Sequence, residues 1–136
     1  MPPMSDRFLD TNVILYLLAD GAKADRAEEI LAGGGVISVQ VLNEALVNCR
    51  RKAGLSWDEA SDFLAGIRKV CDVTSLTTQT HDIGQAIGAR YGFAVYDAMI
   101  VAAALEAGCS TLLTEDLSHG QVIEQSLQIL NPFATG

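Results

Sequence analysis

Positive charge is scarce in this chain. Nine Lys and Arg stand against seventeen Asp and Glu, a formal net charge of −8 over 136 residues. A protein that coats nucleic acid indiscriminately is basic throughout, so that class is excluded. An enzyme that touches nucleic acid through a metal ion and a few basic side chains is not. Cysteine is sparse as well. Cys49, Cys71 and Cys109 form no C-x-x-C pair, which removes the spacing of a zinc site. Their odd number, with no signal peptide visible in Met1 to Arg7, predicts reduced thiols in a cytoplasmic protein, buried as small hydrophobes. No apolar run reaches the ~20 residues of a membrane span; Val13 to Ala19 is among the longest. Gly33-Gly34-Gly35 lacks the Lys-Ser/Thr ending of a phosphate loop and reads as a helix stop followed by a turn. A Rossmann fingerprint and a Ser/His/Asp or Cys/His arrangement are also missing.

What is present is core. Hydrophobic residues make up 49% of the chain and charged ones 19%, which excludes disorder for most of it. The length suits one domain spanning 1–136, with a core from about 7 to 130 and loose ends at 1–5 and 131–136. Short apolar runs alternate with helical patterns. Strands are predicted at Arg7 to Asp10, Val36 to Ser38, near Asp72 to Thr74, at Thr111 to Thr114 and at Leu127 to Leu130. Between them, helices are predicted from an Asn12 cap onward, around 24–32, 39–52, 57–70, 78–90 and 97–107. Ser56 and Glu59 form a capping box, and Gly84 with Gly88 suggests a close helix contact. Alternation of this kind predicts an α/β fold, a three-layer α/β/α sandwich around a parallel sheet. Sites in such sheets form at the carboxyl ends of the strands.

Four acids fall at that edge. Asp10 ends the first strand, Asp116 follows the strand at 111–114, Asp97 opens a helix, and Glu44 sits in the helix leaving the second strand. Each alone has a structural explanation. Asp97 suits a helix N-cap, Asp10 the turn before an Asn12-capped helix. Glu44 shares a solvated stripe with Gln40, Asn48 and Arg51, and Asp116 is a loop acid beside Glu115. Together they repel one another unless a cation is present. Hard divalent ions take oxygen ligands, and such a site activates water and neutralises charge on a phosphodiester. Hydrolysis of an RNA or DNA backbone is therefore the chemistry expected.

The segments Phe8-Leu9-Asp10-Thr11-Asn12-Val13-Ile14, Ser38 to Glu44, Tyr96 to Ala104 and Leu112 to Leu117 give the chain a family resemblance. It resembles the PIN-domain ribonucleases, and among them the VapC-type toxins of VapBC toxin–antitoxin pairs, from Arg7 to about Leu130. The resemblance implies a PIN-like fold and assigns Asp10, Glu44, Asp97 and Asp116 to one or two Mg²⁺ or Mn²⁺ ions. Thr11, Asn12 and Thr114 would support them, and Glu115 competes with Asp116 for the fourth ligand role. It further implies cleavage of single-stranded RNA to a 5′-phosphate and a 3′-hydroxyl, a homodimer, and a small antitoxin protein that blocks the site. Similar domains also process cellular RNA without an antitoxin.

Two other classes compete. An aspartate-based phosphatase or phosphotransfer domain also carries an acid at the end of its first strand. Here, however, Asn12 stands where a second Asp is wanted, and no Lys follows Lys69. A non-catalytic interaction domain is the other rival. His81 and His119 show no repeated spacing and read as surface side chains. The basic runs Arg50-Arg51-Lys52 and Arg68-Lys69, at the ends of predicted helices, read either as solvated cations or as a phosphate track along one rim, with Arg50 and Arg51 the candidates for RNA contact.

Overall fold

The computed structural model describes residues 6–134. The strands are β1 (Arg7–Leu9), β2 (Gly35–Ser38), β3 (Cys71–Thr74), β4 (Thr111–Leu113), β5 (Val122–Ile123) and β6 (Leu127–Leu130). The helices are α1 (Thr11–Leu15), α2 (Ala22–Ala32), α3 (Val39–Arg51), α4 (Trp57–Val70), α5 (Thr78–Tyr91) and α6 (Val95–Glu106), with a 3₁₀ turn at Tyr16–Leu18. Six strands form one sheet in the order β3-β2-β1-β4-β6-β5. Phe8 of β1 aligns with Val36 of β2 and Leu112 of β4, all parallel. β1 and β4 are thus neighbours, and the chain reverses direction across the sheet between them. A crevice at the carboxyl ends is the consequence, as expected for a doubly wound sheet. The three-layer α/β/α architecture is the one predicted.

Strand residues Phe8, Leu9, Val36, Ile37, Leu112 and Ile129 are buried, as sheets covered on both faces require. Helix α6 is apolar nearly all round, with Ala98 and Ile100 to Ala104 buried, because it lies between the sheet and α5. Gly84 permits that approach. A Cβ there would collide with the Met99 sulfur, so the expected close approach is real. The capping box of Ser56 and Glu59 also forms, with mutual bonds of 2.9 and 3.1 Å.

The structure differs from expectation in several places. Helix α1 starts at Thr11, and Asp10 caps it rather than Asn12. Asp10 stands in extended conformation where β1 ends, so its carboxylate meets the free N–H of Thr11 at 2.7 Å. Helix α6 begins at Val95 with Ala94 at its cap, so Asp97 lies inside the first turn and caps nothing. The sheet is not wholly parallel, since β5 runs antiparallel to β6. Their turn holds Glu124 and Gln125 at φ 50° and 58°, where Asn-Gly would advertise a hairpin. Arg90 secures it instead, paired with Glu124 at 2.7 Å. Residues 1–5, half of the loose-end expectation, lie outside the described residues. At the other end Phe133 is docked, its ring edge-on to Tyr16 at 4.7 Å.

Candidate active site

Four separate segments bring carboxylates to the crevice. The end of β1 carries Asp10, the second turn of α3 carries Glu44, the first turn of α6 carries Asp97, and the loop after β4 carries Asp116. Asp10 is the most enclosed, only 4% exposed. Its Oδ1 accepts from the Thr11 backbone N–H, and its Oδ2 accepts from the Thr114 hydroxyl at 2.8 Å. Thr114 Oγ1 in turn accepts from the Asp116 N–H at 3.1 Å and from Asn12 Nδ2 at 3.3 Å. Asn12 Nδ2 also donates to Asp116 Oδ2 at 3.0 Å. Thr11 Oγ1 reaches Glu44 Oε2 at 3.4 Å. Thr11, Asn12 and Thr114 therefore knit Asp10, Glu44 and Asp116 together.

Charge in this crevice is left uncompensated. Burial lifts the Asp10 carboxyl from 3.8 to about 6; the bonds from Thr114 and Thr11 oppose the rise, and the charges of Asp116 and Glu44 add to it. Burial also raises Asp97, again with Asp116 and Glu44 pushing the same way. Asp10 and Asp97 thus each feel both Asp116 and Glu44. Among the described residues, none of the four has a Lys, Arg or His ion-pair partner. Asn12 Oδ1 is buried and accepts no hydrogen bond, a costly condition for a polar oxygen.

Glu115 is engaged elsewhere. It accepts from the Tyr16 hydroxyl and, at 3.1 Å, from Lys23 Nζ, and these partners hold its carboxyl below the ordinary range. Lys23 also lies over the Tyr16 ring at 4.9 Å. The cluster ties the loop that carries Asp116 to Tyr16 and Lys23. Arg50 donates to Leu55 O at 2.9 Å and stacks on Trp57 at 4.7 Å, which ties it to the α3–α4 turn. Arg51, beside it, is exposed. His119 Nδ1 accepts from the Asn131 N–H at 2.9 Å.

A model of the PIN domain family matches residues 7–123. The chain belongs to the PIN domain family. No curated protein matches it by sequence. Solved structures do. A toxin–antitoxin complex from Klebsiella pneumoniae has a TM-score of 0.74 at 16% identity, covering 95% of this chain and 99% of that one. The Mycobacterium tuberculosis toxin VapC20, described as cleaving the sarcin–ricin loop, has a TM-score of 0.64 at 22% identity over 78% of this chain and 86% of its own. VapBC2 from Rickettsia felis, bound to a DNA fragment from its promoter, has a TM-score of 0.66 at 15% identity over 92% of this chain and 98% of its own. At these identities the likeness is one of fold.

The donor set of this PIN domain fits a hard divalent cation. Every candidate ligand is an oxygen, the acids have no cation of their own, and the orphaned Asn12 oxygen adds a neutral acceptor. Among the described residues, no three His, Cys, Asp or Glu side chains stand close enough to cage an ion unaided.

Sequence reasoning missed one residue here. Gln40, assigned to a solvated stripe, is buried. Its Nε2 donates to Glu44 Oε1 at 2.6 Å and to the Tyr96 carbonyl at 3.0 Å. Lys52 lines a groove of about 420 Å³ together with Asn12, Asn48 and Glu115. The i,i+4 spacing of Gln40 and Glu44 was the signal that could have found Gln40; Lys52 belongs to the basic run Arg50-Arg51-Lys52.

Proposed function

We propose that this PIN domain is a divalent-metal-dependent endoribonuclease, the toxin of a type II toxin–antitoxin pair. One observation carries the reading. Four carboxylates from four segments converge at the carboxyl edge of the sheet without a cation, and two of them have raised pKa values, to which burial and the neighbouring acids both contribute. Asp10, Asp97 and Asp116, with Glu44 beside them, would hold Mg²⁺ or Mn²⁺, which when bound activates water and neutralises charge on the scissile phosphodiester.

The chain's own groups do the rest. Thr114 and the Thr11 N–H fix both Asp10 oxygens, so the carboxylate is oriented before ligand arrives. Asn12 and Thr114 orient Asp116, and Gln40 and Thr11 orient Glu44, which would direct the attacking water. Glu115 braces the Asp116 loop through Lys23 and Tyr16 rather than joining the ligands. Arg50 and Arg51, together with Lys52 at the rim, would meet RNA phosphates. Cleavage would leave a 5′-phosphate and a 3′-hydroxyl.

Solved toxin–antitoxin complexes of the same fold support a small antitoxin as partner, and the same reading includes a homodimer. No helix among the described residues is long and apolar enough to cross a membrane. The test is cleavage of RNA by Asp10→Asn and Asp97→Asn proteins with Mg²⁺ or Mn²⁺. Wild-type rates in both variants would refute the assignment. Controlled expression in a bacterium, with 5′ ends of cellular RNA mapped, tests the toxin role. Growth arrest with one discrete cut site is the expected result; unhindered growth with no new 5′ ends would remove that role.

A further inference from the structure

Beside the four acids lies a second feature that the cleavage chemistry leaves unused. A groove of about 650 Å³ runs between α3, the start of α5 and the start of α6, within the ~300–1,000 Å³ range of pockets that enclose small molecules. Its wall includes Glu44, so it opens directly from the crevice. Its rim is Tyr96, which precedes Asp97 in the chain and is 72% exposed. The Tyr96 carbonyl is held by Gln40, so the backbone beneath that ring is fixed to α3. Val47, Leu76 and Met99 supply apolar surface. Asn43 and His81 line the groove too, and among the described residues no hydrogen bond uses either side chain.

The charge of the groove selects its occupant. No Lys or Arg lines it, and its one formal charge is that of Glu44. A phosphate is repelled there, whereas a flat, uncharged heterocycle is accommodated. Unpaired RNA bases are recognised by stacking on aromatic rings and by hydrogen bonds to their edges. We propose that this groove is a base-recognition subsite: it takes the unpaired nucleobase next to the scissile phosphodiester, stacked on Tyr96 and read at its edge by Asn43 and His81. The proposal rests on the ribonuclease reading and adds to it the determinant of cleavage position. Tyr96 and Asn43 are specificity residues, outside the carboxylate machinery.

Two measurements test it. In the first, metal-free protein is titrated by NMR with adenosine, cytidine, guanosine and uridine, which carry no phosphate. Saturable shifts at Asn43 and His81 are expected, lost in Tyr96→Ala and kept in Tyr96→Phe. If no nucleoside shifts those signals, or Tyr96→Ala binds like the wild type, the subsite is refuted. In the second, hairpins with a randomised loop are cut in Mg²⁺. Tyr96→Ala should raise KM about tenfold, the scale of one lost base stack, leave kcat unchanged, and abolish the base preference beside the cut. An abasic nucleotide at that position should have the same effect on the wild type and none further on Tyr96→Ala.

The two readings fail separately. Nucleoside binding without any RNA cleavage defeats the ribonuclease reading alone, and cleavage whose base preference survives Tyr96→Ala defeats the subsite alone. A dimer that Tyr96→Ala dissociates, with base preference intact, would show that a second copy of the chain covers the groove, and would also refute the subsite.

Discussion

At the amino end of β1, Arg7 donates from Nη2 to the Ile30 carbonyl at 2.5 Å and the Gly34 carbonyl at 2.8 Å. At the carboxyl end of the same strand, Asp10 is buried among other acids with its pKa driven up to about 6. The first end uses a charge to bind backbone carbonyls where α2 stops, and its hydrogen bonds make that burial tolerable. The second end keeps its carboxylates hydrogen-bonded yet electrically unbalanced. A structure that only needed to be stable would treat both ends like the first. The imbalance at the second costs stability in the free protein, and a bound cation would restore it.

The largest effect that should separate the two ends is on cleavage. Asp10→Asn keeps the shape of the side chain and should lower RNA cleavage at least about a hundredfold in Mg²⁺. Arg7→Met should cut at the wild-type rate at temperatures where it is folded. Equal losses in the two variants would erase the contrast.

Next is the pH dependence of stability. An acid whose folded pKa is raised binds its proton more tightly in the folded state. Its contribution to stability is therefore greatest below the unfolded value of 3.8 and is lost as pH climbs through about 6. A rise of that size corresponds to about 3 kcal/mol. Asp97 acts in the same direction. Urea midpoints of metal-free protein should thus fall between pH 4 and pH 7 more steeply in the wild type than in Asp10→Asn. Saturating Mg²⁺ should recover the loss at pH 7. A slope unchanged by Asp10→Asn would show that the acid end is not strained.

Arg7→Met should cost about 2 kcal/mol at any pH in that window, because the part-buried Gly34 carbonyl loses the Arg7 donor and the Ile30 carbonyl is left with the Gly33 N–H alone. Urea denaturation with and without Mg²⁺ measures it, and the metal should add the same increment to this variant as to the wild type. The smallest effect concerns the rim. Replacing Arg50, Arg51 or Lys52 with Gln should weaken RNA binding severalfold, and removing a cation that meets a phosphate should reduce the salt slope by about one. A slope unchanged in all three variants would leave RNA held without them.

Much of this was legible in the chain. Strand–helix alternation pointed to the architecture; Asp10, Asp97 and Asp116 stood out because they fall near a strand end or a helix start, and Glu44 because its helix leaves a strand at the same edge. Ser56 with Glu59, and Gly84 with Gly88, were legible because capping and close helix approach depend on residues a turn apart. Other features left no local trace. Asp10 caps α1 because of where β1 releases the chain, and Asn12 is then drawn to Thr114 and Asp116, which lie 102 and 104 positions further along. The turn at Glu124 adopts positive φ without Gly or Asn because Arg90 secures it from α5. Glu115 looked equivalent to Asp116 in sequence, yet Tyr16 and Lys23 claim it.

The sequence by itself determined the layers, most of the alternation of strands and helices and the candidate acids, since periodicity and chemical type are carried residue by residue. The tertiary structure decided which acid is buried, which is braced and which side chain turns Glu44 inward. It also decided that an exposed tyrosine should border the acid crevice. Those outcomes depend on distance and dielectric between segments far apart in the chain, and neither is set until the sheet has brought β1 beside β4.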